Sequence, residues 1–222
     1  MANNNRIRKL TRILKWVVVF VILKVLLGIV SNYPDYYPLN FDADFLLGRE
    51  GHFFGAYGVA FYTHILSTPC ALVSGMVLMN NAFRRRYAVQ HRWLGRVQVI
   101  VILIFVVPSS LWMSAYAMSG YLAGIGFAIL ALTMGFCVIM GWRRAVEKNF
   151  KAHRYWMTRC FIMLCSAVVL RLFSGVAAIL IPDADWTYPF AAWGAWIIPL
   201  ITLEGFEHYQ RRHIWPNSSN AI

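Results

Sequence analysis

An all-α protein crossing a bilayer six times is the fold this sequence predicts, and three observations predict it. The 222-residue chain is 59% hydrophobic and only 14% charged, which leaves too few polar residues to coat a soluble globule. Its apolar residues form long runs near the ~20 residues that cross about 30 Å of hydrocarbon as a helix. Of the 21 lysines and arginines, all but Lys24, Arg49 and Arg171 gather in four clusters between those runs, at residues 6–15, 84–96, 143–159 and 211–212. Basic connections orient spans toward the cytoplasm, so both termini are expected there. The net charge of +12 is what such orientation requires, and nucleic acid is not an expected partner.

The elements follow in order. A basic cytoplasmic N-terminus, residues 1–13, precedes the first run at 14–30. No small-x-small cleavage site follows that run, only Ser31-Asn32-Tyr33-Pro34, so it reads as a retained span and not a signal peptide. Residues 31–54 form the one sizeable outer segment. Asp35, Asp42, Asp44 and Glu50 give it the acidic bias of an outside loop, and Tyr33-Pro34-Asp35-Tyr36-Tyr37-Pro38 argues against a helix at its start. Its aromatic content predicts that it packs instead of hanging free. The second and third runs cover 55–79 and 97–118. The fourth, 121–142, follows across little more than Ser119 and Gly120, which makes the third and fourth an antiparallel hairpin. Gly124, Gly126, Gly135 and Gly141 along the fourth remove side chains where helices would approach closely. The fifth and sixth runs cover 160–181 and 190–209, and a cytoplasmic tail occupies 210–222. The six-helix transmembrane domain is therefore 14–209. Cys70, Cys137, Cys160 and Cys165 all lie in apolar runs, which fits packing and not a disulfide framework.

Two basic connections share a pattern, His91-Arg92-Trp93-Leu94-Gly95-Arg96 and His153-Arg154-Tyr155-Trp156-Met157-Thr158-Arg159. With His64, Gly75 and the Leu170-Arg171 pair, the chain resembles the bacterial predicted membrane proteins grouped as domain of unknown function 2306. The resemblance runs from about residue 53 to about 173 and leaves the first and last spans outside. Tyr155 stands where that family often has another basic residue. The resemblance implies a multi-pass architecture in a bacterial cytoplasmic (inner) membrane, and it implies no activity.

Polar residues inside the spans are the candidates for function. Arg171 lies 11 residues into the fifth run, about 17 Å deep, where an unpartnered arginine costs roughly 2.5 kcal/mol or more. His64, about 14 Å below the outer surface, falls near the same level. Imidazole and guanidinium at one depth suit a quinone-like or anionic small molecule, the first bonding one oxygen while the second grips a carbonyl, carboxylate or phosphate. The structural alternative is that Arg171 bonds carbonyls freed near Pro69 or Pro108, and that His64 bonds Ser67 or Ser174.

At the cytoplasmic end His91, His153, His208 and Glu204 are expected at one level, with Glu204 and His208 on one helical face. Such a set would hold a divalent metal such as zinc or iron. Two opposed histidines would ligate haem b, with Arg92, Arg96, Arg154 or Arg159 on its propionates. The alternative makes both His-Arg-aromatic segments interfacial turns that anchor helices to headgroups. The outer half offers only His64, which disfavours a two-haem protein. No nucleotide loop, nucleophile elbow or His-Glu-x-x-His helix is present. The open function classes are a haem- or metal-binding redox component, a non-enzymatic carrier or assembly partner of another membrane protein, and a hydrolase using Glu204, Glu207 and His208.

Overall fold

Helix runs the length of the computed structural model, which describes residues 2–43, 45–117, 120–182 and 184–213 and has no strand among them. Ten α-helices appear: α1 (Ala2–Val30), α2 (Glu50–Phe53), α3 (Ala56–Leu78), α4 (Asn81–Arg86), α5 (Ala88–Ile100), α6 (Val107–Ser114), α7 (Gly120–Val146), α8 (Phe150–Leu164), α9 (Ser166–Leu180) and α10 (Thr187–His213). Six helical stretches are long and apolar enough to cross a membrane. The chain is thus an all-α, multi-pass membrane protein. It divides into two compact units, residues 1–56 and 57–222.

In the first unit, α1 exposes most of its described side chains and satisfies its backbone internally, as a helix in hydrocarbon must. Lys24 is among the exposed ones. The outer segment is not wholly irregular. Pro34 sits in the first turn of a short 3₁₀ helix, Tyr33–Tyr36, where its missing N–H costs nothing. The aromatic residues pack on one another as expected. Phe41 meets Phe53 edge-on at 5.6 Å, and Tyr36 meets Phe45 at 6.5 Å. Arg49 closes this small core: it is buried, donates from Nε to Phe45 O at 2.7 Å and stacks over the Phe45 ring at 4.5 Å.

In the second unit, α7 is the hub and touches α5, α6, α8 and α10. The reason is its glycines. A Cβ on Gly124 would meet Ser114 O at 2.5 Å, one on Gly126 the Trp193 ring at 3.0 Å, and one on Gly141 the Met157 sulfur at 2.5 Å. Three neighbours therefore approach α7 where it has no side chain, the close packing that replaces the hydrophobic effect between membrane helices. Trp193 also donates from Nε1 to Leu122 O at 2.9 Å, fixing α10 to α7. The α7–α8 turn is tight because Lys148 takes a positive φ of 59° and the Asn149 side chain caps α8 by accepting from Ala152 N at 3.1 Å.

The third span begins at Ala88 and the fifth at Phe150, both earlier than their apolar runs. The two His-Arg-aromatic segments are consequently helical and not interfacial turns. Between α5 and α6 the third span widens into a π-helix over Val101–Val106, and Val107 N donates to Ile102 O, five residues back. Pro108, next in line, has no N–H and would press its ring on the preceding turn, and the wider turn relieves that clash.

Candidate functional site

The interior polar site is built by α3 and by the serines just after Pro108. His64 Nδ1 lies 3.2 Å from Ser110 Oγ and 3.5 Å from Ser109 Oγ, and Thr68, one turn along α3, stands 3.4 Å from it. The hydroxyl protons of both serines point elsewhere: Ser110 donates to Val106 O and Ser109 to Phe105 O, each at 2.6 Å. In that arrangement their lone pairs face the imidazole, which suits the tautomer with its proton on Nδ1. Nε2 is left with one long contact, Thr68 Oγ1 at 3.5 Å. His64 thus bonds Ser110, Ser109 and Thr68; the alternative partners, Ser67 and Ser174, have buried hydroxyls with no hydrogen bond among the described residues.

Arg171 is near enough for its charge to act on the His64 ring. Its side chain is exposed on α9 and donates from Nη1 to Ala167 O at 3.3 Å, on its own helix.

At the basic end a different arginine governs. Arg159 is 5% exposed, donates from Nε to Glu204 Oε1 at 2.6 Å and from Nη2 to Glu207 Oε2 at 3.1 Å. Nη1 donates to Tyr155 O at 3.0 Å, and the guanidinium stacks over the Tyr155 ring at 3.2 Å. Two acids on α10 are thereby clasped to α8. The four residues expected to hold metal or haem are not gathered into one site. Glu204 belongs to the Arg159 clasp, His208 is exposed on α10, and among the described residues no three His, Cys, Asp or Glu are placed to hold a metal.

His91 and His153 do come together. They border a cleft of about 2100 Å³ between α3, α5, α7, α8 and α10, close enough to affect one another electrostatically. His153 Nδ1 donates to Gly141 O at 2.8 Å, the carbonyl of the glycine that lets α8 approach α7. His91 Nδ1 is buried without a partner among the described residues. Gln98, also on the cleft wall and 2% exposed, accepts from Ser74 Oγ and donates to Ala71 O at 2.8 Å, which ties α3 to α5. Gly75 lets α8 close on α3 at the same level, since a Cβ there would meet the Phe161 ring at 3.0 Å. Neither Gln98 nor the Arg159 clasp was anticipated. The signals were a lone amide in an apolar run, and a basic residue facing two acids three apart at the same end of the bundle.

An all-α bundle with six helical stretches long and apolar enough to cross a membrane defines a class, the multi-pass membrane proteins. Within it, the family described as a predicted membrane protein, domain of unknown function 2306, matches residues 61–204, well over half of the chain. The chain belongs to this family. The match extends past the expected limit near residue 173 and takes in most of the sixth span, leaving α1 outside. No curated protein and no solved structure matches the chain.

Proposed function

We propose that the chain is a membrane binding protein, a carrier for a small lipid-soluble molecule whose quinone-like or acidic head, in its protonated form, presents a hydroxyl to His64 and an acceptor oxygen to Arg171. The observation that carries this reading is the imidazole of His64. Its Nδ1 is oriented by serines from another span, and Nε2 is left as an acceptor in an apolar setting. Buried polar groups are ordinarily paired, so a nitrogen whose one contact is a long 3.5 Å approach from Thr68 is the place where an occupant would bond, and Ser67 and Ser174 in the same membrane-spanning part of the chain also have buried hydroxyls without a hydrogen bond among the described residues. A ligand hydroxyl would donate to Nε2 while the guanidinium of Arg171 binds the oxygen opposite.

The test is photolabelling of purified protein with a photoreactive quinone held in its reduced, dihydroxy form and, separately, a photoreactive fatty acid. Saturable labelling of peptides from α3, α6 or α9 is expected with one of the two. His64→Leu should cut it about fivefold, the worth of one hydrogen bond near 1 kcal/mol, and Arg171→Gln about tenfold or more, because a charged donor is lost. Equal labelling of wild type and both variants would sink the reading.

A further inference from the structure

We infer that the cleft at the basic end is a second, separate binding site, one that takes the phosphate head of a lipid. Three features of the cleft lead there. The first is charge. Arg84, Arg92, Arg96, Lys151, Arg154 and Arg212 line it, and none of the six forms an ion pair among the described residues. The single acid on the wall, Glu207, is bonded to Arg159. A phosphomonoester, with up to two charges and three strong acceptor oxygens, answers several guanidinium groups at once, whereas a carboxylate is filled by one.

The second feature is the histidine pair. His91 reaches the cleft with Nδ1 buried and unpaired, and His153 is held by its Nδ1–H bond to Gly141 O so that Nε2 is the nitrogen left for a ligand. Two imidazoles from two spans, that of His153 through its unused Nε2, thus add polar groups to the arginine-lined wall. Loose attraction between basic loops and an anionic surface explains rim charges but not an unpaired nitrogen inside a wall.

The third feature is the apolar part of the wall. Beside the bases the wall includes Leu78, Val99, Met157 and Phe161. Free phosphate would leave that surface wet. A head with acyl chains fills both parts.

Gly95 supplies a clean probe. It lines the cleft on α5, and a Cβ there would meet nothing within 4 Å. Gly95→Leu therefore fills cleft space without a clash and strengthens the helix. The experiment titrates the detergent-purified full chain with short-chain phosphatidic acid, phosphatidylcholine of equal chain length, and inorganic phosphate. Phosphatidic acid is expected to bind saturably, at one per chain, and at least tenfold more tightly than the other two. Gly95→Leu should weaken it at least tenfold, as should the Arg92→Gln/Arg96→Gln pair. Arg85→Gln/Arg86→Gln, which removes the same charge outside the cleft, should leave it unchanged. Binding that falls equally with either arginine pair and ignores Gly95→Leu overturns the site. Inorganic phosphate binding as tightly as the lipid removes the lipid, and haem or stoichiometric metal on the purified protein gives the cleft another occupant.

Discussion

Arg159 and Arg171 stand on the same span, and they show two uses of a membrane arginine. Arg159 is almost fully enclosed, with two carboxylates, a backbone carbonyl and an aromatic face around it. Arg171 is exposed, hydrogen-bonded to a carbonyl one turn back, and within electrostatic reach of an imidazole that keeps a lone pair. The first charge is balanced inside the protein and holds two helices together. The second sits beside polarity that the protein leaves unbalanced. The lesson is that depth alone does not mark function: an ionised group whose partners come from the chain itself is architecture, and the residual polarity marks the site.

The sharpest way to break that comparison is to remove each cation. Arg159→Met strands Glu204 and Glu207, and breaking a buried pair costs about 3–5 kcal/mol. Glu204 keeps half its side chain exposed, so water recovers part of the loss, and about 2–3 kcal/mol is the expected cost. Thermal unfolding in detergent should show a fall of roughly 5 °C or more. Adding Glu204→Gln and Glu207→Gln to Arg159→Met should restore much of it, because no charge is then stranded. Arg171→Gln should move the transition by less than about 1 °C per the same scale while reducing ligand labelling. If Arg171→Gln proves the more destabilising of the two, the division between clasp and site is wrong.

An intermediate effect is expected at Gln98, which belongs to both worlds. Its amide joins α3 to α5, yet it lies on the cleft wall. Gln98→Leu gives up one cross-span hydrogen bond to Ala71 O and one from Ser74, whose hydroxyl proton can turn to Cys70 O, 2.7 Å away. No donor is left wholly unpaired, so the cost should be about 1 kcal/mol, read from the same unfolding transition.

How far these features could be read from the sequence follows from their range. The six spans depend on local run length and charge placement, and residues 14–30 or 121–142 carry that information by themselves. The close-packing role of Gly124, Gly126 and Gly141 was also readable, since a glycine inside an apolar run has few other uses. The metal set was not. Glu204 and His208 do share a helix spacing, but whether Glu204 is available depends on Arg159, 45 residues earlier, and periodicity does not encode pairing across that distance. The π-helix belongs to the same category. Pro108 announced a disturbance of the third span, while the result, two serines brought to His64 from 45 and 46 residues away, needed the packing of α3 against α6.

The smallest effect asks most directly what those serines do. Ser110→Ala removes one acceptor from Nδ1 but leaves Ser109 and Thr68 within 3.5 Å, so stability should change by less than about 0.5–1 kcal/mol. The consequence is expected in the ring itself. With Ser109→Ala added, only Thr68 remains near both nitrogens, and the proton is no longer directed to Nδ1. The ¹⁵N chemical shifts of His64 should then move from one dominant tautomer in wild type toward a mixture, and photolabelling should weaken by about twofold as part of the population presents Nε2–H instead of a lone pair. An unchanged tautomer in the double variant would mean that the serines do not orient the imidazole, and that the polarity at His64 is balanced within the protein in the manner of Arg159.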